Sequence, residues 1–151
     1  KKRNKLLKSK SLFPEMKAIK QYDDKIKKMG GIDIFLLASG STDGHVAFNN
    51  SKSNVNSFTH IIKLNNLTRA DNLKTFPNFK SLNAVPKYGI TVGLGTIHKL
   101  TKKAILVLSG KEKRRAAKII LNKKLFNRNW PATIIHKCKK KSIYIDKDAI
   151  N

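Results

Sequence analysis

A carboxylate and an imidazole stand two positions apart in Asp43-Gly44-His45, just after the step Gly40-Ser41. A carboxylate that hydrogen-bonds an imidazole fixes its tautomer and leaves the second ring nitrogen able to take and return a proton near neutral pH. The intervening glycines let backbone N–H groups approach a ligand and let both side chains point into one small volume. The tripeptide therefore reads as a proton-transfer unit, although Asp and Gly after a strand are also ordinary turn chemistry. Upstream lies the apolar run Ile32-Asp33-Ile34-Phe35-Leu36-Leu37-Ala38. A short run of this kind, ending in small residues, predicts a buried parallel strand that delivers its loop to the carboxyl edge of a sheet, where ligands of open α/β sheets bind.

The remaining elements must place that edge. Pro14 suits a helix start, and Met16, Ile19, Tyr22, Ile26 and Met29 recur at steps of three or four before Gly30-Gly31, which predicts one amphipathic helix feeding the strand. Ser51 to Asn56 reads as a polar loop, Thr59 to Leu64 as a strand, Leu67 to Thr75 as a short helix or turn, and Tyr88 to Val92 as a strand. Gly93-Leu94-Gly95-Thr96 reads as a turn into a short helix; its glycines are tight-turn residues rather than a dinucleotide loop, and no nicotinamide cofactor is expected. Ala104 to Leu108 is a second strongly apolar strand, Lys111 to Leu121 has helical periodicity, and Ser142 to Ile145 is a last short strand. Alternating helices and strands predict a parallel sheet with helices on its faces. The turn Leu108-Ser109-Gly110-Lys111-Glu112-Lys113 has the makings of an anion site: free N–H groups and the positive dipole end of a helix, with lysine adding a point charge.

Composition bounds the partners. The 151 residues carry 33 Lys+Arg against 9 Asp+Glu, a formal charge of +24, with 40% hydrophobic residues, which suits one globular domain. Residues 1–13 form a basic arm and 14–151 the domain. Charge of this size suits polyanions. Here it is mostly lysine spread along the whole chain, as an AT-rich coding bias produces, so nucleic acid is not expected as the primary partner. No run approaches the roughly 18 apolar residues of a membrane span, and the basic start lacks the apolar core of a signal peptide. A cytoplasmic location is expected. Cys138 is the only cysteine; it excludes an intrachain disulfide and the paired-cysteine zinc site of nucleobase deaminases, so any deamination would be metal-free. The chain begins with Lys-Lys-Arg rather than Met, from which further upstream residues are expected.

Three blocks in order, Gly30-Gly31-Ile32-Asp33-Ile34-Phe35-Leu36, Asp43-Gly44-His45-Val46-Ala47-Phe48-Asn49 and Val85-Pro86-Lys87-Tyr88-Gly89-Ile90-Thr91-Val92-Gly93-Leu94-Gly95-Thr96, closely resemble the glucosamine-6-phosphate deaminase (isomerase) family. The resemblance runs from about Ile19 to the C-terminus. It implies an α/β, Rossmann-like, mostly parallel sheet with flanking helices, in an N-terminally truncated part of the family's fold.

The resemblance also implies an activity: conversion of glucosamine 6-phosphate to fructose 6-phosphate and ammonia, without a cofactor, on a phosphorylated aminosugar as partner. His45 and Asp43 match the family's ring-opening pair. Asn50 stands where the family has a glutamate that completes the relay; it can hydrogen-bond His45 but cannot stabilise an imidazolium by charge. Lys113 occupies the position of a phosphate-contacting lysine. Lys74 occupies that of an arginine, keeping the charge but losing the bidentate fork. Gly40, Ser41 and Gly44 are expected to line the substrate site. The family's first strands, with a phosphate loop and the aspartate that abstracts the C2 proton, lie upstream of Lys1. Its effector-site basic residues are poorly matched around Thr59-His60-Ile61-Ile62-Lys63. Alternatives are a 6-phosphogluconolactonase-like hydrolase, whose loop tends to continue Ala-Ser-Leu-Phe-Pro where this chain has Ala47-Phe48-Asn49, and a non-catalytic sugar-phosphate-binding protein. Self-association is compatible with all three.

Overall fold

The computed structural model describes residues 12–151; residues 1–11, most of the basic arm, lie outside the described part. Five strands and five α-helices follow one another along it: α1 (Ile19–Lys28), β1 (Ile32–Leu37), β2 (His60–Lys63), α2 (Asn66–Thr75), β3 (Tyr88–Thr91), α3 (Leu94–Leu100), β4 (Thr101–Leu108), α4 (Arg114–Asn122), β5 (Lys140–Ile145) and α5 (Lys147–Ile150).

The parallel sheet has three strands in the order β1-β4-β5, with Phe35 opposite Ala104 and Leu106 opposite Ile143. Because partners in a parallel pair point the same way, one face collects Phe35, Leu37, Ala104, Leu106, Leu108, Ile143 and Ile145. This is the packed face: Ala104, Leu106 and Leu108 are fully buried, together with Leu94 and Ile97 of α3 and Ala116 and Ile120 of α4. The other face carries Ile34, Leu36, Val107 and Tyr144, all exposed.

Three expectations change. The first helix does not start at Pro14; Glu15 is extended, Met16–Ala18 form a 3₁₀ turn, and the α-helix begins at Ile19 with no side chain capping it. β2 and β3 do not join the parallel sheet but pair with each other antiparallel, His60 opposite Thr91. Leu94 to Thr96 are the first turn of α3 rather than a turn before it. The flanking glycines serve close approach, since a Cβ on Gly93 or Gly95 would lie 2.1 Å or 2.7 Å from a carbonyl oxygen of the 56–58 loop. An element not foreseen is the 3₁₀ helix Pro131–Lys137, whose first five residues are all buried.

Buried polar groups tie these layers together. Asp23 of α1, 3% exposed, accepts from the Thr59 N–H at 2.8 Å and from Thr96 Oγ1 at 2.5 Å, joining α1 to the start of β2 and to α3. Among the described residues no helix is long and apolar enough to cross a membrane.

Candidate active site

β1 runs out at Leu37 and the chain enters a loop that folds back on itself: the Gly40 N–H donates to the His45 carbonyl at 2.8 Å. Asp43 Oδ1 accepts from the His45 backbone N–H at 3.1 Å and lies 2.7 Å from His45 Nδ1. The pair therefore faces inward across its own turn, with both side chains about one quarter exposed. An ionised carboxylate can only accept, so the proton of neutral His45 sits on Nδ1 and Nε2 is left as the base.

Glycine is required on both sides of this contact. A Cβ on Gly40 would lie 2.3 Å from His45 Nδ1 and 2.4 Å from Asp43 Oδ1, and Gly44 has φ +64°, a conformation that L side chains rarely adopt. Beyond His45 the chain makes a second tight turn, in which Val46 and Asn49 exchange backbone hydrogen bonds of 3.2 and 2.9 Å and Ala47 takes φ +51°. The Asn49 amide, fully buried, donates to the Val46 and Val92 carbonyls at 3.1 and 2.8 Å, pinning this turn to the end of β3. Nothing in the type of Asn49 alone announces this anchoring role. Its signal is a polar residue directly after Phe48 in a loop that must be anchored.

The loop lines a cleft of about 610 Å³ with Phe35 to Leu37, Ser41 and Thr42 on one side, and Leu67 and Asp71 of α2 on the other. Lys113 enters the cleft from the 3₁₀ turn Lys111–Lys113 ahead of α4, donating to the Ser39 carbonyl at 2.8 Å and to Ser41 Oγ at 3.0 Å. Asp146 steadies that turn by accepting from Ser109 Oγ at 2.5 Å and the Gly110 N–H at 2.9 Å. The Ser109 hydrogen bond, aided by the Ala149 N–H, holds the Asp146 carboxyl below its ordinary range.

Gly40, Ser41, Asp43, His45 and Lys113 thus share one cleft, and Gly44 carries the turn between the pair. Two expected residues stand apart. Asn50 Oδ1 accepts from the Lys52 N–H at 2.9 Å while the Asn50 N–H donates to Ser53 Oγ, so its side chain serves the 50–53 turn; no hydrogen bond joins it to His45 among the described residues. It lines a neighbouring hollow with Asp43, Lys52 and Lys63. Lys74 is exposed near the end of α2 and is not among the residues lining the cleft. Asp71, one turn earlier, faces the cleft instead and was not foreseen. Cys138 is buried and its thiol is pushed up to about 11 by that burial, which leaves it inert as a nucleophile.

No family model matches the chain. Among curated proteins it is 40% identical over 114 residues to the glucosamine-6-phosphate deaminase of Malacoplasma penetrans, covering 76% of this chain and 45% of that protein. It is 38% identical over 130 residues to the glucosamine-6-phosphate deaminase of Bacillus velezensis, covering 85% and 51%. The chain thus spans about half the length of the curated relatives it matches. A solved monomeric glucosamine-6-phosphate deaminase superposes with a TM-score of 0.82 at 31% identity, over 93% of this chain and 58% of that one. The 6-phosphogluconolactonase of Trypanosoma cruzi, at TM-score 0.58 and 21% identity, shares the fold. With three ordered sequence blocks, a parallel sheet delivering the Asp-Gly-His loop, and this identity to several deaminases, the chain belongs to the glucosamine-6-phosphate deaminase family.

Proposed function

We propose that this chain carries the ring-opening and phosphate-holding part of a cytoplasmic enzyme that isomerises and deaminates glucosamine 6-phosphate to fructose 6-phosphate and ammonia. The observation that carries the reading is the 2.7 Å contact between Asp43 and His45 inside the cleft that Lys113 also enters. In the closed sugar, His45 Nε2 takes the proton of the anomeric hydroxyl as the bond from C1 to the ring oxygen breaks, then returns it to that oxygen. Asp43 stabilises the imidazolium in between. Lys113 holds the phosphate as a point charge from the turn ahead of α4.

Proton transfer from C2 to C1, with an amine proton passing to O1, then gives an imine at C2; water adds at C2 and ammonia leaves, giving the ketone. No residue of this chain is assigned to the C2 proton. Lys74, outside the cleft lining, is given no phosphate contact in this reading, and Asn50 acts only through the loop that follows the pair.

The test is ammonia release and fructose 6-phosphate formation by the polypeptide as encoded, with and without His45→Ala. Turnover unchanged by that substitution would overturn the reading. The engagement of Asn50 in its own turn favours a second reading, a sugar-phosphate binder without turnover. Saturable binding of glucosamine 6-phosphate with no product would select it.

A further inference from the structure

The loop that carries Asp43 and His45 is pressed from outside by one side chain. A Cβ built on Gly44 would lie 2.3, 2.4 and 2.5 Å from Trp130 Cδ2, Cγ and Cε2, so the indole sits flat against the Gly44 Cα. Beside this contact the Ala132 N–H donates to the Gly44 carbonyl at 2.8 Å. Trp130 is itself held: its carbonyl accepts from Thr133 Oγ1 at 2.6 Å, and Thr133 Oγ1 in turn accepts from the Asn127 N–H at 2.8 Å. The Arg115 guanidinium of α4 lies 5.4 Å from the ring centroid, which links the same ring to the helix that follows Lys113.

Trp130 is 3% exposed, yet its Nε1–H is buried with no partner among the described residues. A buried donor without an acceptor is unfavourable, and a phenylalanine would avoid it. What the indole offers in exchange is ring area over Gly44.

We propose that Trp130 is a positioning residue for the Asp43–His45 pair: by pressing on Gly44 it holds the backbone turn that brings His45 Nδ1 onto the carboxylate. Its use in catalysis rests on the ring-opening role of His45, but the positioning itself can be read without activity. Glycine has the widest backbone freedom of any residue, and the pair spans only that residue. With the ring gone, Gly44 regains its freedom and the imidazole can leave the carboxylate.

The experiment is two-bond ¹H–¹⁵N correlation of the histidine side chains in the 151-residue chain, at alkaline pH where histidines are neutral. The native protein and Trp130→Phe are expected to show one His45 tautomer, with the proton on Nδ1. Trp130→Ala, or Trp130→Leu if the alanine variant does not fold, should reduce the Nδ1–H population by twofold or more. Ile134→Ala, which empties a fully buried site in the adjoining 3₁₀ helix, controls for general loosening and should leave the tautomer unchanged. An unchanged tautomer in the folded Trp130 variants would overturn the proposal, as would an equal change in Ile134→Ala. If His45→Ala abolishes turnover while the Trp130 variants keep their tautomer, the positioning role fails and the function stands. The converse result, a shifted tautomer in an enzyme indifferent to His45→Ala, leaves the positioning role and removes the function.

Discussion

The two walls of the cleft are built differently. On the β1 side, the 40–49 loop is closed by backbone hydrogen bonds, packed at Gly40 and Gly44 to the limit of contact, and pinned through buried Asn49 to β3. On the α2 side, Leu67 is 63% exposed and Asp71 is exposed. There, Arg69 is the only buried residue of the helix, its guanidinium donating to the Leu82 and Val85 carbonyls. The wall that carries the Asp43–His45 pair is fixed by backbone hydrogen bonds and close contacts, whereas the α2 wall has a single buried side chain. Proton transfer needs geometry within hydrogen-bond reach, whereas binding tolerates adjustment.

Substitutions on each side test that contrast. The largest effect belongs to the pair: His45→Ala should lower the rate of ammonia release by about 10²- to 10⁴-fold, the usual worth of a general base. Asp43→Asn should lower it less, because it keeps a hydrogen-bond partner for the ring. Steady-state assay with glucosamine 6-phosphate reads both. Next comes Gly44→Ala, whose methyl would strike the indole. Overpacking of this kind costs about 1–3 kcal/mol and the left-handed backbone adds about 1–2 kcal/mol, which urea unfolding would show. A cost under 1 kcal/mol would mean that the braced wall is softer than its contacts imply.

On the opposite wall, Arg69→Met removes two charged hydrogen bonds, each worth about 1.5–3 kcal/mol, and should destabilise by at least the worth of one while leaving the His45 environment unchanged by NMR. A perturbed His45 would show that the walls are coupled. Acid sensitivity should come from behind the cleft. Burial, followed by the charges of Lys137 and Lys99, lowers the pKa of His98, and burial likewise lowers that of His136. The neutral forms are favoured on folding, so their contribution is complete above the ordinary value of 6.5 and is lost as pH falls below it. His98→Gln should flatten the fall in urea midpoint between neutral and mildly acidic pH. The smallest effect is Asp71→Asn: on an exposed helix surface it should change stability by no more than about 0.5 kcal/mol, and only substrate binding would report it.

Much of this was legible in the residues. The apolar runs of β1 and β4 and the three-and-four spacing of α1 announce themselves because strand and helix periods are local properties. The Asp-Gly-His loop is legible too, because it follows directly on the apolar run whose end is the carboxyl edge of a parallel sheet. The pairing of β2 with β3 was not legible, because an apolar stretch such as His60 to Lys63 does not name its partner. Pro131–Lys137 escaped because it is buried nearly all round and so carries no amphipathic period. The separation of Asn50 from His45 was hidden too, since an Asx turn onto Lys52 competes with any reach toward the imidazole.

The amino-acid sequence by itself determined the order of most strands and helices up to Ile145, the family, and which carboxylate and imidazole form the pair. Each of these is written in short runs of residues and their order along the chain. Only the tertiary structure decided that Lys113 and not Lys74 enters the cleft, that Asp71 faces it, and that Trp130 bears on Gly44. Those outcomes hang on contacts between residues far apart in sequence, where packing space and buried hydrogen-bond partners, rather than local periodicity, select the arrangement.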